Sequence, residues 1–210
     1  MSTTRASAFW KAVWRGLSVS WAYRLFGRLV GTHSVRAAYI RECVNPSEGQ
    51  RLLDIGCGPG DILNYLPPVA YVGFDNNPEY IQAAKAKYAH RGEFFQQAVS
   101  RELVGQFSGF DLVMANGLLH HLDDAECMEL LTIGLTALKP GGRMITLDGV
   151  LTPSQSRFAR YLVSRDRGRH VRTEEEYTQL ARRVFRDVKV RIWDGRLRIP
   201  YTHIIMECSK

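Results

Sequence analysis

The sequence has no uninterrupted apolar run near the roughly 18 residues that cross a bilayer, so no ordinary transmembrane helix is expected. It has only four cysteines, Cys43, Cys57, Cys127 and Cys208, with no CxxC pair and no Cys/His grouping at zinc spacing. Neither a disulfide framework nor a metal site is expected from them, and thiols are the default. No stretch is low in complexity and none repeats, and Gly at 18 and Pro at 8 are ordinary frequencies. Collagen-like, solenoid and extensively disordered chains are thereby excluded. Acidic residues are missing from residues 1–31, and Arg5, Lys11 and Arg15 stand where a secretory leader would need its apolar stretch. A cytoplasmic chain is the expectation.

What remains is 210 residues, 45% hydrophobic and 23% charged, enough for one sizeable core and short for two. The net charge of +7 is uneven: residues 1–31 carry +5, and residues 157–172 hold six arginines against Asp166. The body between and around them is mildly acidic, so two basic patches sit on an otherwise ordinary domain.

Residues 9–17 and 21–30 place their tryptophans, phenylalanines and leucines in one arc, with Lys11, Arg15, Arg24 and Arg28 opposite. Both read as short amphipathic helices, and a third runs from Val35 to about Val44, stopped by Asn45 and Pro46. From residue 50 short apolar runs alternate with helical stretches. Strands are expected at 51–55, 70–74, 94–96, 110–115 and 144–148, and helices at 61–66, 78–90 and 123–138. Thr173 before Glu174, Glu175 and Glu176 is a capped helix start, with that helix ending near Phe185. Two consecutive strands follow, at 187–193 and 201–208. The fold class expected is α/β: a doubly wound, mostly parallel seven-stranded sheet with helices on both faces and an antiparallel C-terminal edge hairpin. The chain is then one domain: an N-terminal helical cover over 1–46, a core over 50–150, a basic insertion over 151–172, and the last helix and strands over 173–210.

The most informative stretch is Leu52 to Gly60, LLDIGCGPG, between an apolar strand and a helix start. Gly56, Gly58 and Gly60 remove Cβ atoms where the chain must turn tightly and a ligand must approach backbone. A dinucleotide fold would use GxGxxG, whereas here the spacing is DxGxGxG. This loop resembles that of the Rossmann-like (class I) S-adenosylmethionine-dependent methyltransferases. The resemblance continues in VGFDNNPEYI, FDLVMANGLLHHLDD and LKPGGRMITLD and covers about residues 50–150. It implies S-adenosylmethionine as cofactor, with S-adenosylhomocysteine as product. By the same resemblance Asp54, Gly56, Cys57, Gly58 and Gly60 would hold its methionine part, Asp75 its ribose hydroxyls, and Asn76 would border the adenine. Gln97 and Ala98 stand where the family often has an acid followed by a small residue, and Asn116 and Leu118 would line the cofactor past the fourth strand.

For the reaction, His120 and His121 stand at the mouth of the fourth strand with side chains suited to proton transfer near neutral pH. Asp148 ends the fifth strand, and ligands of open α/β sheets bind beyond the strands' carboxyl ends. One of the histidines could equally serve only to hold the loop. Tyr201 and His203 are expected to be structural. The loop after the fourth strand lacks the Asn/Asp-Pro-Pro-aromatic pattern of exocyclic-amine methyltransferases, which favours a small-molecule acceptor over nucleic acid. Arg165, Arg167 and Arg169 are the candidates for gripping a carboxylate or phosphate on it, the alternative being a solvated basic face paired with Glu174 to Glu176. The N-terminal helices read as a cover over the pocket, with peripheral membrane contact and a lipid-linked acceptor as the second reading. The leading expectation is methyl transfer to oxygen. Its rivals are methylation of structured RNA and a non-catalytic cofactor-binding protein, and the oligomeric state is open.

Overall fold

The computed structural model describes residues 32–106, 108–164 and 170–210. The helices expected at 9–17 and 21–30, and Arg165, Arg167 and Arg169, lie outside these residues.

Helix α1 (Thr32–Tyr39) runs into a wider π-helical turn, Ile40–Val44, which ends when Asn45 adopts a left-handed φ of 39° ahead of Pro46. Strand β1 (Arg51–Ile55) is followed by a single 3-10 turn, Asp61–Asn64, in place of the helix expected over 61–66. Its extension is stopped by Pro67 and Pro68, neither of which has an N–H to donate. Then come β2 (Ala70–Asp75), α2 (Pro78–Tyr88), β3 (Gly92–Gln96), α3 (Arg101–Gln106) and β4 (Phe110–Asn116). The turn Leu119–His121 leads to α4 (Asp124–Ala137), whose start is a reciprocal capping box between Asp123 and Glu126. Strand β5 (Leu138–Gly149) begins at once, six residues earlier than expected. Its pairing with β4 jumps from Phe110↔Leu138 to Leu112↔Arg143, so the KPGG segment is accommodated as an irregularity inside the strand. Helix α5 (Arg157–Ser164) lies in the segment read only as a basic insertion. Helix α6 (Glu174–Arg182) is capped by Thr173 and Glu176 as expected but ends before Phe185. Strands β6 (Asp187–Trp193) and β7 (His203–Ser209) complete the fold, with Tyr201 and Thr202 left outside β7.

The seven strands lie in the order β3-β2-β1-β4-β5-β7-β6. The first four pairings are parallel, and β7 pairs antiparallel with both β5 and β6. Apolar side chains of alternate residues feed two cores. One face buries Val104, Leu130, Leu131, Tyr177 and Leu180 from α3, α4 and α6 against Leu53, Val113 and Met144. The other buries Val35, Tyr39 and Val44, together with Ile81 and Ala84 of α2, against Leu52, Leu112, Met114 and Ile145. The described part of the N-terminal cover is thus an integral layer of the fold. The chain leaves β1 toward β2 and crosses back to β4 on the other side, so the crevice at the carboxyl ends of β1 and β4 is the topological switch point where ligands of such sheets bind.

Candidate functional site

At that crevice the loop after β1 takes the shape its glycines allow. Gly56, Gly58 and Gly60 have φ of +75°, +56° and +73°, a region that L side chains rarely enter. The loop hangs from its neighbour strand: the N–H groups of Gly56 and Cys57 both donate to the Phe74 carbonyl, at 2.8 and 3.0 Å. A Cβ on Gly58 would project into open space, whereas one on Gly56 would meet the Leu118 side chain at 3.4 Å. Leu118 therefore lies over the loop.

Asp75 at the end of β2 binds two backbone donors, Gly58 N–H at 2.9 Å on Oδ2 and Asn77 N–H at 2.8 Å on Oδ1. Each oxygen keeps a lone pair that a hydroxyl could use. Asn76 beside it is exposed, while Asn77 caps α2 by accepting from the N–H groups of Glu79 and Tyr80. Gln97 and Ala98 are exposed just past β3, whose Gln96 is in register with Asp75.

Asp54 is buried on the inner side of the loop, where the Tyr71 hydroxyl donates to its Oδ2 at 2.6 Å. Burial pushes its carboxyl up to about 7, the Tyr71 hydrogen bond and Arg36 oppose the rise, and Asp75 adds to it. Cys57 is buried and its thiol is raised, first by burial and then by Asp54 and Asp75. Nearby, the fully buried Tyr39 of α1 donates to Asn116 Oδ1 at 2.7 Å, and burial and Asp54 raise its phenol well above the usual range.

The acid and base candidates come together on the opposite face of the sheet. His120 Nδ1 lies 2.8 Å from Asp148 Oδ1, which also accepts the His120 backbone N–H at 3.3 Å. Both side chains are almost wholly buried, and Asp148 Oδ2 is buried without a hydrogen-bond partner among the described residues. His121 is exposed, its ring centroid 4.2 Å from that of His120. Arg172, one of the six arginines of residues 157–172, does not lie on a solvated basic face. It is 6% exposed and donates to the Leu119, Leu122 and His170 carbonyls and to Asp124. Its carboxylate partner is Asp124, while Glu176 is engaged in capping α6 through Thr173. With His170 N–H donating to the His120 carbonyl at 3.0 Å, the end of the basic segment is fastened to the histidine turn. The contributions of Tyr39, Tyr71 and Arg172 were not legible beforehand, because each acts across at least 17 residues of sequence. Arg172 alone left a trace, as a basic residue directly before a helix cap.

These residues suit S-adenosylmethionine: a glycine cradle whose middle member leaves open space, an acid with spare lone pairs at the strand end, and the switch point between them. Among the described residues no group of His, Cys, Asp and Glu could hold a metal ion, and no helix is long and apolar enough to cross a membrane.

Comparison with known proteins agrees. Residues 52–142 match a family model described as a methyltransferase domain. Acetylserotonin O-methyltransferase of Mus musculus is 32% identical over 171 residues, 74% of this chain and 43% of that protein. The 27-O-demethylrifamycin SV methyltransferase of Amycolatopsis mediterranei is 30% identical over 139 residues, 62% of this chain and 46% of that protein. The chain spans less than half the length of either relative. A solved SAM-dependent methyltransferase from Archaeoglobus fulgidus superposes with a TM-score of 0.70 at 18% identity, over 90% of this chain and 99% of that one, a likeness of fold. Glycine loop, strand order and family match converge: residues 52–142 are a methyltransferase domain, in a chain with the Rossmann-like fold of solved S-adenosylmethionine-dependent methyltransferases.

Proposed function

We propose that the protein transfers a methyl group from S-adenosylmethionine to an oxygen of an anionic or lipid-associated small molecule. The observation that carries the cofactor half is Asp75 binding the glycine loop and the start of α2 with one carboxylate, which fixes an acceptor pair at the end of β2. Asp54, Gly56, Cys57, Gly58 and Gly60 would hold the methionine end, Asp75 the ribose, and Asn76, Gln97 and Ala98 the adenine. Asn116 and Leu118 would close over them. When bound, the cofactor supplies a methyl group on a cationic sulfur that needs no further activation.

What the chain adds is position and a proton acceptor. Asp148 accepts from His120 Nδ1–H, which leaves the lone pair of the neutral ring on Nε2, the atom that would take the acceptor's hydroxyl proton. The Asp148 carboxylate then balances the imidazolium. Arg172 holds the turn that carries His120. His121, exposed beside it, would face the acceptor's side of the crevice, and Arg165, Arg167 and Arg169 would grip the acceptor's anionic group. Support for oxygen as the methylated atom is this buried His–Asp pair.

Calorimetry with S-adenosylhomocysteine tests the cofactor site. Micromolar binding, weakened in Asp75→Ala by about 1 to 3 kcal/mol, the scale of a lost buried hydrogen-bond partner, is expected. Absence of binding by folded wild type would overturn the proposal. For the acceptor, Arg167→Ala and Arg169→Ala are expected to raise KM; an unchanged KM in both rejects the arginine grip.

A further inference from the structure

Resting on the cofactor reading above, we propose that Tyr71 is a positioning residue of the site: its hydroxyl holds the Asp54 carboxyl in one rotamer beneath the glycine loop and favours its ionised form. Asp54 and Tyr71 are not in register. Tyr71 pairs with Leu52 and Asp54 with Gly73, so the tyrosine ring must run along the strand, over Gly73, to reach the acid. The sheet is cut to let it do so. A Cβ on Gly73 would sit 2.9 Å from Tyr71 Cε1, and one on Gly92, its partner in β3, would sit 2.8 Å from Tyr71 Cδ1 and 2.7 Å from its carbonyl. Real Cβ atoms do not approach so closely, so two strand glycines, a residue type that weakens strands, form the slot. Phe94 closes it, its ring centroid 5.6 Å from that of Tyr71.

At the end of the slot the phenol meets Asp54 at 2.6 Å, with both side chains buried. A carboxylate without water depends on such donors to stay charged. Among the described groups around it, Asp75 at the end of β2 disfavours its charge and Arg36 of α1 favours it, while the Cys57 thiol of the loop and the Tyr39 phenol of α1 stand near, both raised by burial and by Asp54. Tyr71 is the group that hydrogen-bonds Asp54 directly from its side chain. While this bond holds, a ligand carrying positive charge at its methionine end would meet the ionised acid at lower pH than without it.

The test uses full-length protein with carbon-13-labelled aspartate, the Asp54 carboxyl resonance being assigned by its loss in Asp54→Asn. In Tyr71→Phe its titration midpoint is expected to move up by about one pH unit or more, the scale of one hydrogen bond to a charged group. S-adenosylhomocysteine affinity near neutral pH should fall about tenfold on the same scale, the deficit narrowing as pH rises, and Tyr71→Phe should change nothing further in the Asp54→Asn background. Should Tyr71→Phe fail to fold, replacement of the tyrosines by 3-fluorotyrosine, a more acidic phenol, is expected to move the Asp54 midpoint down. An Asp54 midpoint unmoved by the substitution overturns the role of Tyr71 whether or not the cofactor binds. Absence of S-adenosylhomocysteine binding by the wild type overturns instead the cofactor reading.

Discussion

Removing the Arg172 side chain separates two effects that a drawing of its contacts would merge. Its guanidinium makes an ion pair with Asp124 at 2.7 Å and donates to three backbone carbonyls at 2.8 to 3.1 Å. The Asp124 side chain is 75% exposed, so water takes over its solvation when the arginine leaves, and the pair itself contributes at most about 1 kcal/mol. The carbonyls are different. Among the described residues Leu119 O keeps the Leu122 N–H at 3.2 Å and Leu122 O keeps a long contact to the Cys127 thiol, so both lose their strongest donor, one in a buried and one in a part-buried setting. Three bonds from a charged donor, discounted for overlap and relaxation, amount to about 3 to 4 kcal/mol. Urea unfolding at neutral pH is therefore expected to give that loss for Arg172→Ala and no more than about 1 kcal/mol for Asp124→Ala. Hydrogen exchange should accelerate at the turn Leu119–His121 in the first variant alone. Equal losses in the two variants, or a loss below about 1 kcal/mol in both, would refute the assignment of the energy to the carbonyls.

Because burial raises the Asp54 carboxyl to about 7, the folded chain holds this proton more tightly than the unfolded one. Its contribution is favourable below the unfolded value and is lost as pH rises through about 7, so Asp54→Asn should gain on wild type by on the order of 3 to 4 kcal/mol between acid and pH 8. Denaturant curves at several pH values check this, and a pH-independent difference rejects it. All four cysteines are free and buried, and burial pushes Cys127 up to about 11 and Cys208 up to about 12, with Cys43 and Cys57 also raised. A disulfide reagent at mildly alkaline pH should label the native protein slowly and all four thiols after unfolding; one rapidly labelled native thiol contradicts the burial.

Signals that are local in sequence carried over well. Three glycines near one acid, the Asn45-Pro46 stop and the Thr173 cap each act within a few residues, and each stands where it was read. The alternation of short apolar runs with helical stretches was enough to give the sheet and its antiparallel end. What escaped was set by distant partners. Helix α3 is six residues long and offers too little periodicity to stand out. The start of β5 was hidden because Pro140, Gly141 and Gly142 are residue types that weaken strands, while pairing with Phe110 draws Leu138 into the sheet. Within the site the glycine loop was legible, but the partners that orient Asp54, Asn116 and the histidine turn were not. Tyr71, Tyr39 and Arg172 look like an ordinary strand residue, an ordinary helix residue and one arginine of six.

The sheet order also governs how the molecule can be assembled. Strand β7 lies between β5 and β6 and exchanges seven residue pairs with each, yet it follows both in sequence. As the polypeptide leaves the ribosome, β1 to β5 can pair and pack while the outer side of β5, with Met144 and Ile145, has no neighbour, and β6 has no sheet to join. An open edge of this kind is a template for another strand. The interval before residues 203–209 emerge is therefore the one in which the β5 edge is open to pairing with another strand.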